Sequence, residues 1–182
     1  MTGVAAGASL LRMDHAAFEI REARESDLEP LRAIVNREIR ETTATWTSVE
    51  RTAEAMRDWR EGLRRDGHPA LVAAEPGGAP LGYASCGRFR AWPGYRLAAE
   101  SSVYVARGAQ RRGIGRALLT ALAAEARAAG LVALVAVIGA DRDASLALHL
   151  ACGWREAGRL PGIGEKFGRR LDMVILQKSL EP

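Results

Sequence analysis

The stretch from Ser102 to Ile138 constrains the fold most. Ser102-Val103-Tyr104-Val105 alternates as a strand does, and Gln110-Arg111-Arg112-Gly113-Ile114-Gly115-Arg116 then supplies a glycine turn. Ile114 to Ala129 is rich in Ala and Leu and stops at Gly130, a natural residue for leaving a helix. Leu131 to Ile138 follows as an unbroken apolar run of strand length, the pattern of a strand covered on both faces. A strand that feeds a long helix through a glycine turn and returns as a buried strand needs a sheet with helix packed on it.

The flanking segments extend that sheet. Phe18-Glu19-Ile20-Arg21 alternates apolar and polar, and Ser26-Asp27 opens a helix whose Leu28, Leu31, Ile34 and Val35 share one face. Thr-rich Glu41 to Ser48 breaks the period and predicts a loop, followed by a helix over Val49 to Arg65 with Ala53, Met56, Trp59 and Leu63 inward. Pro69 to Ala74 and Gly82 to Phe89 flank Glu75-Pro76-Gly77-Gly78-Ala79-Pro80, which predicts an antiparallel hairpin. Beyond the buried strand come a short helix over Ala144 to Ala151, closed by Gly153, and strands over Trp154 to Arg159 and Leu171 to Gln177. The sum is an α/β (α+β) domain, a mixed sheet with helices on both faces, running from residue 18 to 182. Met1 to Ala17 has only short apolar runs interrupted by Arg12 and Asp14, lacks the order of a secretory leader, and reads as a disordered extension.

Bulk properties narrow the function classes. At 182 residues, 48 % hydrophobic and 26 % charged, the chain has the size and composition of one globular domain. Its net charge of +4 comes from arginines scattered through periodic segments, with no dense tail or aromatic-interleaved patch, which argues against a nucleic-acid partner and fits an anionic small ligand. Cys86 and Cys152 stand far apart, so neither a disulfide framework nor a metal motif is expected, and a reducing cytoplasm fits. The apolar run at Leu131 is too short to span a bilayer, and no spacing of His, Cys or acidic residues suggests a metal.

The glycine turn is where chemistry enters. A helix start presents unpaired backbone N–H groups and the positive end of its dipole, so a pyrophosphate fits there. Gly113 and Gly115 keep side chains out of the way, and Arg111, Arg112 and Arg116 add charge-assisted bonds. A dinucleotide fingerprint would need glycine where Leu118 stands, and a P-loop would need Gly-Lys-Ser/Thr.

Gln110-Arg111-Arg112-Gly113-Ile114-Gly115 resembles motif A of the GNAT acetyltransferases. Thr42-Thr43-Ala44-Thr45, Gly82-Tyr83-Ala84-Ser85, Phe89-Arg90, Pro93-Gly94-Tyr95-Arg96, Ser102 to Val105, Ala144-Ser145 with Leu148-His149, and Lys166-Phe167-Gly168-Arg169 resemble the phosphinothricin and methionine sulfoximine acetyltransferases within it. The resemblance implies a mostly antiparallel sheet splayed at its fourth and fifth strands, with the acetyl-CoA arm between them on the backbone of Val103, Tyr104 and Val105. It implies cofactor contacts from Arg111, Arg112, Gly113, Ile114, Gly115 and Arg116, and from the segment holding Arg142 and Ser145. Arg142 stands where the family has asparagine. Other departures are Ala91 in place of a proline, Leu97-Ala98-Ala99 ahead of the strand, and Arg170 in place of a tryptophan.

By position in the motif, Glu100 becomes the general base for a substrate amine, since an α-amino group has a pKa of about 8. A backbone N–H of Val103 or Tyr104 is placed to stabilise charge on the thioester oxygen. His149 occupies the place where many GNAT enzymes carry a proton-donating tyrosine. Arg90, with Pro93, Gly94 and Tyr95, matches the substrate segment, where a guanidinium holds a carboxylate or phosphinate. A homodimer with pockets shared between copies, and a contribution from Lys166 to Arg169, is also implied. The expected activity is acetyl-CoA-dependent N-acetylation of a small amino-acid analogue. The alternatives are a GNAT enzyme for a peptide N-terminus or polyamine, and an acetyl-CoA sensor without turnover.

Overall fold

The computed structural model describes residues 18–181, so the expectation of disorder over Met1 to Ala17 lies outside the described residues. In chain order the elements are β1 (Glu19–Glu22), α1 (Leu28–Glu41), α2 (Ala53–Arg65), β2 (Ala70–Ala74), β3 (Pro80–Arg88), β4 (Ala98–Val105), α3 (Ile114–Ala128), β5 (Ala133–Gly139), α4 (Asp143–Ala151), β6 (Arg155–Lys166) and β7 (Arg169–Ser179). They form one 7-stranded sheet in the order β1-β2-β3-β4-β5-β7-β6. Every neighbouring pair is antiparallel except β4 and β5.

The parallel pair defines the architecture. β4 and β5 are in register only at Ala98 with Ala133, Ala99 with Leu134 and Glu100 with Val135, after which they part. β4 nevertheless stays paired to β3 up to Val105, and β5 stays paired to β7 up to Gly139. The sheet is therefore split into two halves joined at one end.

Each face carries its own core. On one face α3 buries Leu118, Leu119 and Leu122 against Leu134, Val174 and Leu176. On the other, α1 and α2 bury Leu31, Ile39 and Met56 against Val72 and Tyr83. The spacing of Leu28, Leu31, Val35 and Ile39 puts one stripe of α1 inward, as three- and four-residue steps require. Leu122 has no exposed surface, and Leu122→Ala is expected to cost about 2–5 kcal/mol in urea unfolding, with the midpoint shifted and the m-value kept.

Among the boundaries that differ from the sequence reading, four have a clear physical reason. α2 begins at Ala53 rather than Val49, because the Thr52 hydroxyl accepts the Ala55 N–H at 3.0 Å and caps it. β4 begins at Ala98 rather than Ser102, its extra turns being alanines and a glutamate with little strand preference, recruited by pairing to β3. β6 runs to Lys166 rather than Arg159, through Pro161 and Gly162, which an edge strand with irregular register tolerates. β7 begins at Arg169 for the same reason, the two strands turning tightly at Phe167 and Gly168.

Candidate active site

Backbone direction along β4 fixes what faces the split. The Leu97 carbonyl accepts from Val132 at 2.9 Å on the β5 side, and the Ala106 N–H donates to Leu81 at 2.8 Å on the β3 side. Alternation then turns the N–H and C=O of Ser101, Val103 and Val105 toward β5 and those of Ser102 and Tyr104 toward β3. Past Glu100 no β5 residue pairs with them, so the Val103 and Val105 groups line an open slot. Of the two amides expected to face an acyl oxygen, Val103 points into the slot, whereas Tyr104 is committed to its partner Tyr83.

At the end of β4 the chain makes the glycine turn. Arg111 has φ 64° and Gly113 has φ 80°, so successive amides curl inward ahead of α3 as an anion-binding nest does. Gly113 caps α3 in a left-handed conformation with open space around it, which explains its glycine. Gly115 is different: a Cβ there would press on the Leu148 side chain at 2.8 Å, so close packing of α3 on α4 requires it in addition to any ligand. Arg112 is paired to Glu75 at 3.2 Å, while among the described residues Arg111 and Arg116 have no carboxylate partner. Ile114 is buried beneath the turn and holds it.

Arg142 precedes α4, and its carbonyl accepts from Ser145 and Leu146 at 2.9 and 3.0 Å. Its side chain makes no capping bond, unlike an asparagine in that place. His149 is 3 % exposed, packs edge-on to Trp154 at 5.2 Å, and brings Nδ1 to 2.8 Å from the Ser145 carbonyl. Burial lowers its pKa. The ring is buried against Trp154 and its Nδ1 faces a backbone carbonyl, an arrangement that suits a packing role for His149.

Glu100 lies at the last residue pair before the split, on the face shared by Ser102 and Tyr104. Its cross-strand partner is Gly87. Burial raises its pKa, and the Arg90 charge pulls in the opposite direction. Arg90 sits over the Phe89 ring at 4.5 Å, with Nη1 donating to the Phe89 carbonyl at 3.2 Å, and Phe89 meets Tyr95 edge-on at 5.8 Å. Pro93, Gly94 and Tyr95 form an exposed 3-10 turn beside this group. Glu100, Arg90 and Tyr95 are thus gathered at one end of β4, and the nest and the Val103 amide at the other.

Composition and motif left part of this face unassigned. Tyr104 stacks on Tyr83 at 5.3 Å, Tyr83 meets Trp59 edge-on at 5.8 Å, and Thr45 lies beside the Tyr104 phenol. Burial keeps both phenols protonated well past neutral pH. Thr42 donates to Glu38 Oε2 at 2.7 Å, and Lys166 turns inward to the same loop, 6 % exposed. In the Lys166 to Arg169 segment it is Phe167, not the lysine, that is exposed. The blocks around Thr42 to Thr45, Tyr83, Tyr104 and Lys166 marked these residues in the sequence without showing that they meet.

Among the described residues no helix is long and apolar enough to cross a membrane, and no group of His, Cys, Asp or Glu could hold a metal ion. Comparison with known proteins agrees with the geometry. A methionine sulfoximine/methionine sulfone acetyltransferase of Pseudomonas paraeruginosa is 40% identical over 90% of this chain and 95% of its own. A phosphinothricin acetyltransferase of Sinorhizobium meliloti, solved with acetyl-CoA, superposes with TM-score 0.86 at 32% identity, covering 90% of this chain and 88% of its own. A ribosomal-protein-alanine N-acetyltransferase of Brucella melitensis has TM-score 0.84 and 46% identity over 88% and 98% of the two chains. The acetyltransferase (GNAT) family profile matches residues 31–154, and this chain belongs to that family.

Proposed function

We propose that this chain transfers an acetyl group from acetyl-CoA to the amino group of a small amino acid with a second polar or anionic end, of the methionine sulfoximine, methionine sulfone or phosphinothricin type. The observation that carries this is the half-buried Glu100 at the mouth of the split with the Arg90 guanidinium beside it. The relative 40% identical over 90% of this chain bears a name of that substrate class.

The slot suits the acyl donor. Unpaired backbone groups of Val103 and Val105 match an extended amide-bearing arm, and the nest from Arg111 to Gly113, with Ile114, Gly115, Arg116 and the free amides at the start of α3, matches a pyrophosphate. Arg112, Arg142 and Ser145 flank it as further contacts. When bound, acetyl-CoA supplies an activated acyl group. Glu100 takes the proton of the incoming ammonium, and its raised pKa brings it nearer the amine it must deprotonate. The Val103 N–H fixes the acyl oxygen, and Arg90 with Tyr95 holds the anionic end of the amine substrate.

Replacing Gly113 by Ala forces a side chain into a left-handed residue, at a cost of about 1–2 kcal/mol that the nest pays by opening. The KM for acetyl-CoA is expected to rise about tenfold, read against Gly108→Ala, where space is open and φ ordinary.

Exposed Trp92, Ile163 and Phe167, at 74%, 56% and 56%, favour association into a homodimer, which sedimentation measures. The free thiols Cys86 and Cys152 favour a reducing, cytoplasmic setting.

Free-CoA release against methionine sulfoximine, methionine sulfone, phosphinothricin, plain amino acids, a polyamine and an Ala-initiated peptide tests the reading. The name of the Brucella relative favours the peptide as second candidate. Turnover confined to the peptide would replace the small-molecule reading, and binding of acetyl-CoA without turnover would leave a sensor.

A further inference from the structure

The connection between α1 and α2, residues 42–52, bridges the two halves of the split sheet. On the β4 half, Thr45 lies beside the Tyr104 phenol. On the β5–β7–β6 half, Thr43 Oγ1 donates to Asp141 Oδ2 at 2.8 Å, just past β5. The Trp46 ring lies against Gly164 of β6 so closely that a Cβ there would overlap it. Lys166, 6 % exposed, donates from Nζ to the Thr42 and Thr45 carbonyls at 2.7 and 2.5 Å. At the far end of the connection, Asn36 accepts the Arg51 N–H and donates to the Arg51 carbonyl at 2.7 and 2.9 Å.

A lysine is an expensive way to fill a buried position, because its ammonium must be desolvated and every unmet N–H adds cost. Here two carbonyls from one loop meet it, the Phe167 ring lies 5.0 Å away, and Glu38 supplies the nearest opposing charge. A neutral apolar residue would fill the space more cheaply, but it could not gather two carbonyls that otherwise point away from any strand.

We infer that Lys166 is a positioning residue that straps the Thr42-to-Trp46 segment across the open end of the split and so builds the amine-substrate wall beside Tyr104. The inference rests on the proposed acetyl transfer to a small amine. The strap sets Thr45 against Tyr104, four residues along β4 from Glu100 and on the same face. Acetyl-CoA is held by backbone and by the nest, which the strap does not build, so the two substrates respond differently.

The test uses the full chain with Lys166→Met, and Gly164→Ala as a route that displaces Trp46 without touching the charge. Hydrogen–deuterium exchange of amides 42–46 is expected to quicken at least about tenfold in both variants, with β2 and β3 unchanged. The KM for the amine is expected to rise about tenfold, with kcat and the KM for acetyl-CoA within about threefold of the parent. Thr45→Val combined with Lys166→Met should add little, since both act through one contact. Unchanged loop exchange overturns the strap, and quickened exchange with an unchanged amine KM overturns its role in the substrate wall. If no amine is turned over by the parent protein, the functional reading fails by itself, and loop exchange alone decides the strap.

Discussion

Glu100→Gln is expected to lower kcat/KM for the amine by about 10²–10⁴-fold, the range of a lost general base, while acetyl-CoA binds as before. It is also expected to leave the protein at least as stable at neutral pH. Both follow from the same burial. Burial raises the pKa of Glu100 above its value in the unfolded chain, so the folded state disfavours the carboxylate. That penalty is fully present above the raised folded pKa, shrinks as pH falls through it, and is gone below the unfolded one. Gln carries no charge to desolvate and escapes it. A thermal melt at pH 7 with equal or higher Tm, beside single-turnover kinetics showing the slowed step, separates a lost base from a damaged fold. A lower Tm with activity lost in proportion would remove Glu100 from the chemistry and make it a structural residue.

The legibility of this molecule in its sequence follows the range of the forces involved. Short-range periodicity located β5 and α3 almost to the residue, because their core residues recur at fixed steps and Gly113 and Gly130 mark the ends with positive φ. Periodicity is blind to partners, and so Ala98-Ala99-Glu100 carried no strand signal until β3 was beside it. The same blindness hid the length of β6, which runs past Arg159 through Pro161 and Gly162 on the edge of the sheet. Motif resemblance placed Glu100 and Arg90 in one neighbourhood, and the structure puts them within each other's field. It could not assign directions. Only the alternation along β4 gives the slot to Val103 rather than Tyr104, and only the packing of Leu148 adds a steric reason for Gly115. Contacts between residues more than 120 apart, such as Lys166 with Thr42, leave no local trace at all.

Arg90 offers the second large effect, and two substitutions divide its roles. Its guanidinium sits over the Phe89 ring, with one N–H on the Phe89 carbonyl, leaving its remaining donors to meet an anion. Arg90→Ala is expected to raise the KM for an anionic amino acid about 10–100-fold, the loss of charge-assisted bonds, with a smaller effect on kcat. The same change alters the pH profile. Arg90 lowers the pKa of Glu100 by stabilising its carboxylate, so its removal lets burial push that pKa higher. The base is active when deprotonated, and the acidic limb of kcat/KM is therefore expected to move to higher pH. Arg90→Lys keeps the positive charge but not the planar fork or its stacking. Its acidic limb should stay near that of the parent while the KM remains raised. A limb that moves equally in both variants would mean that Arg90 acts on Glu100 through local structure rather than charge. An unchanged KM in both would send the anion-binding role elsewhere on the face of β4.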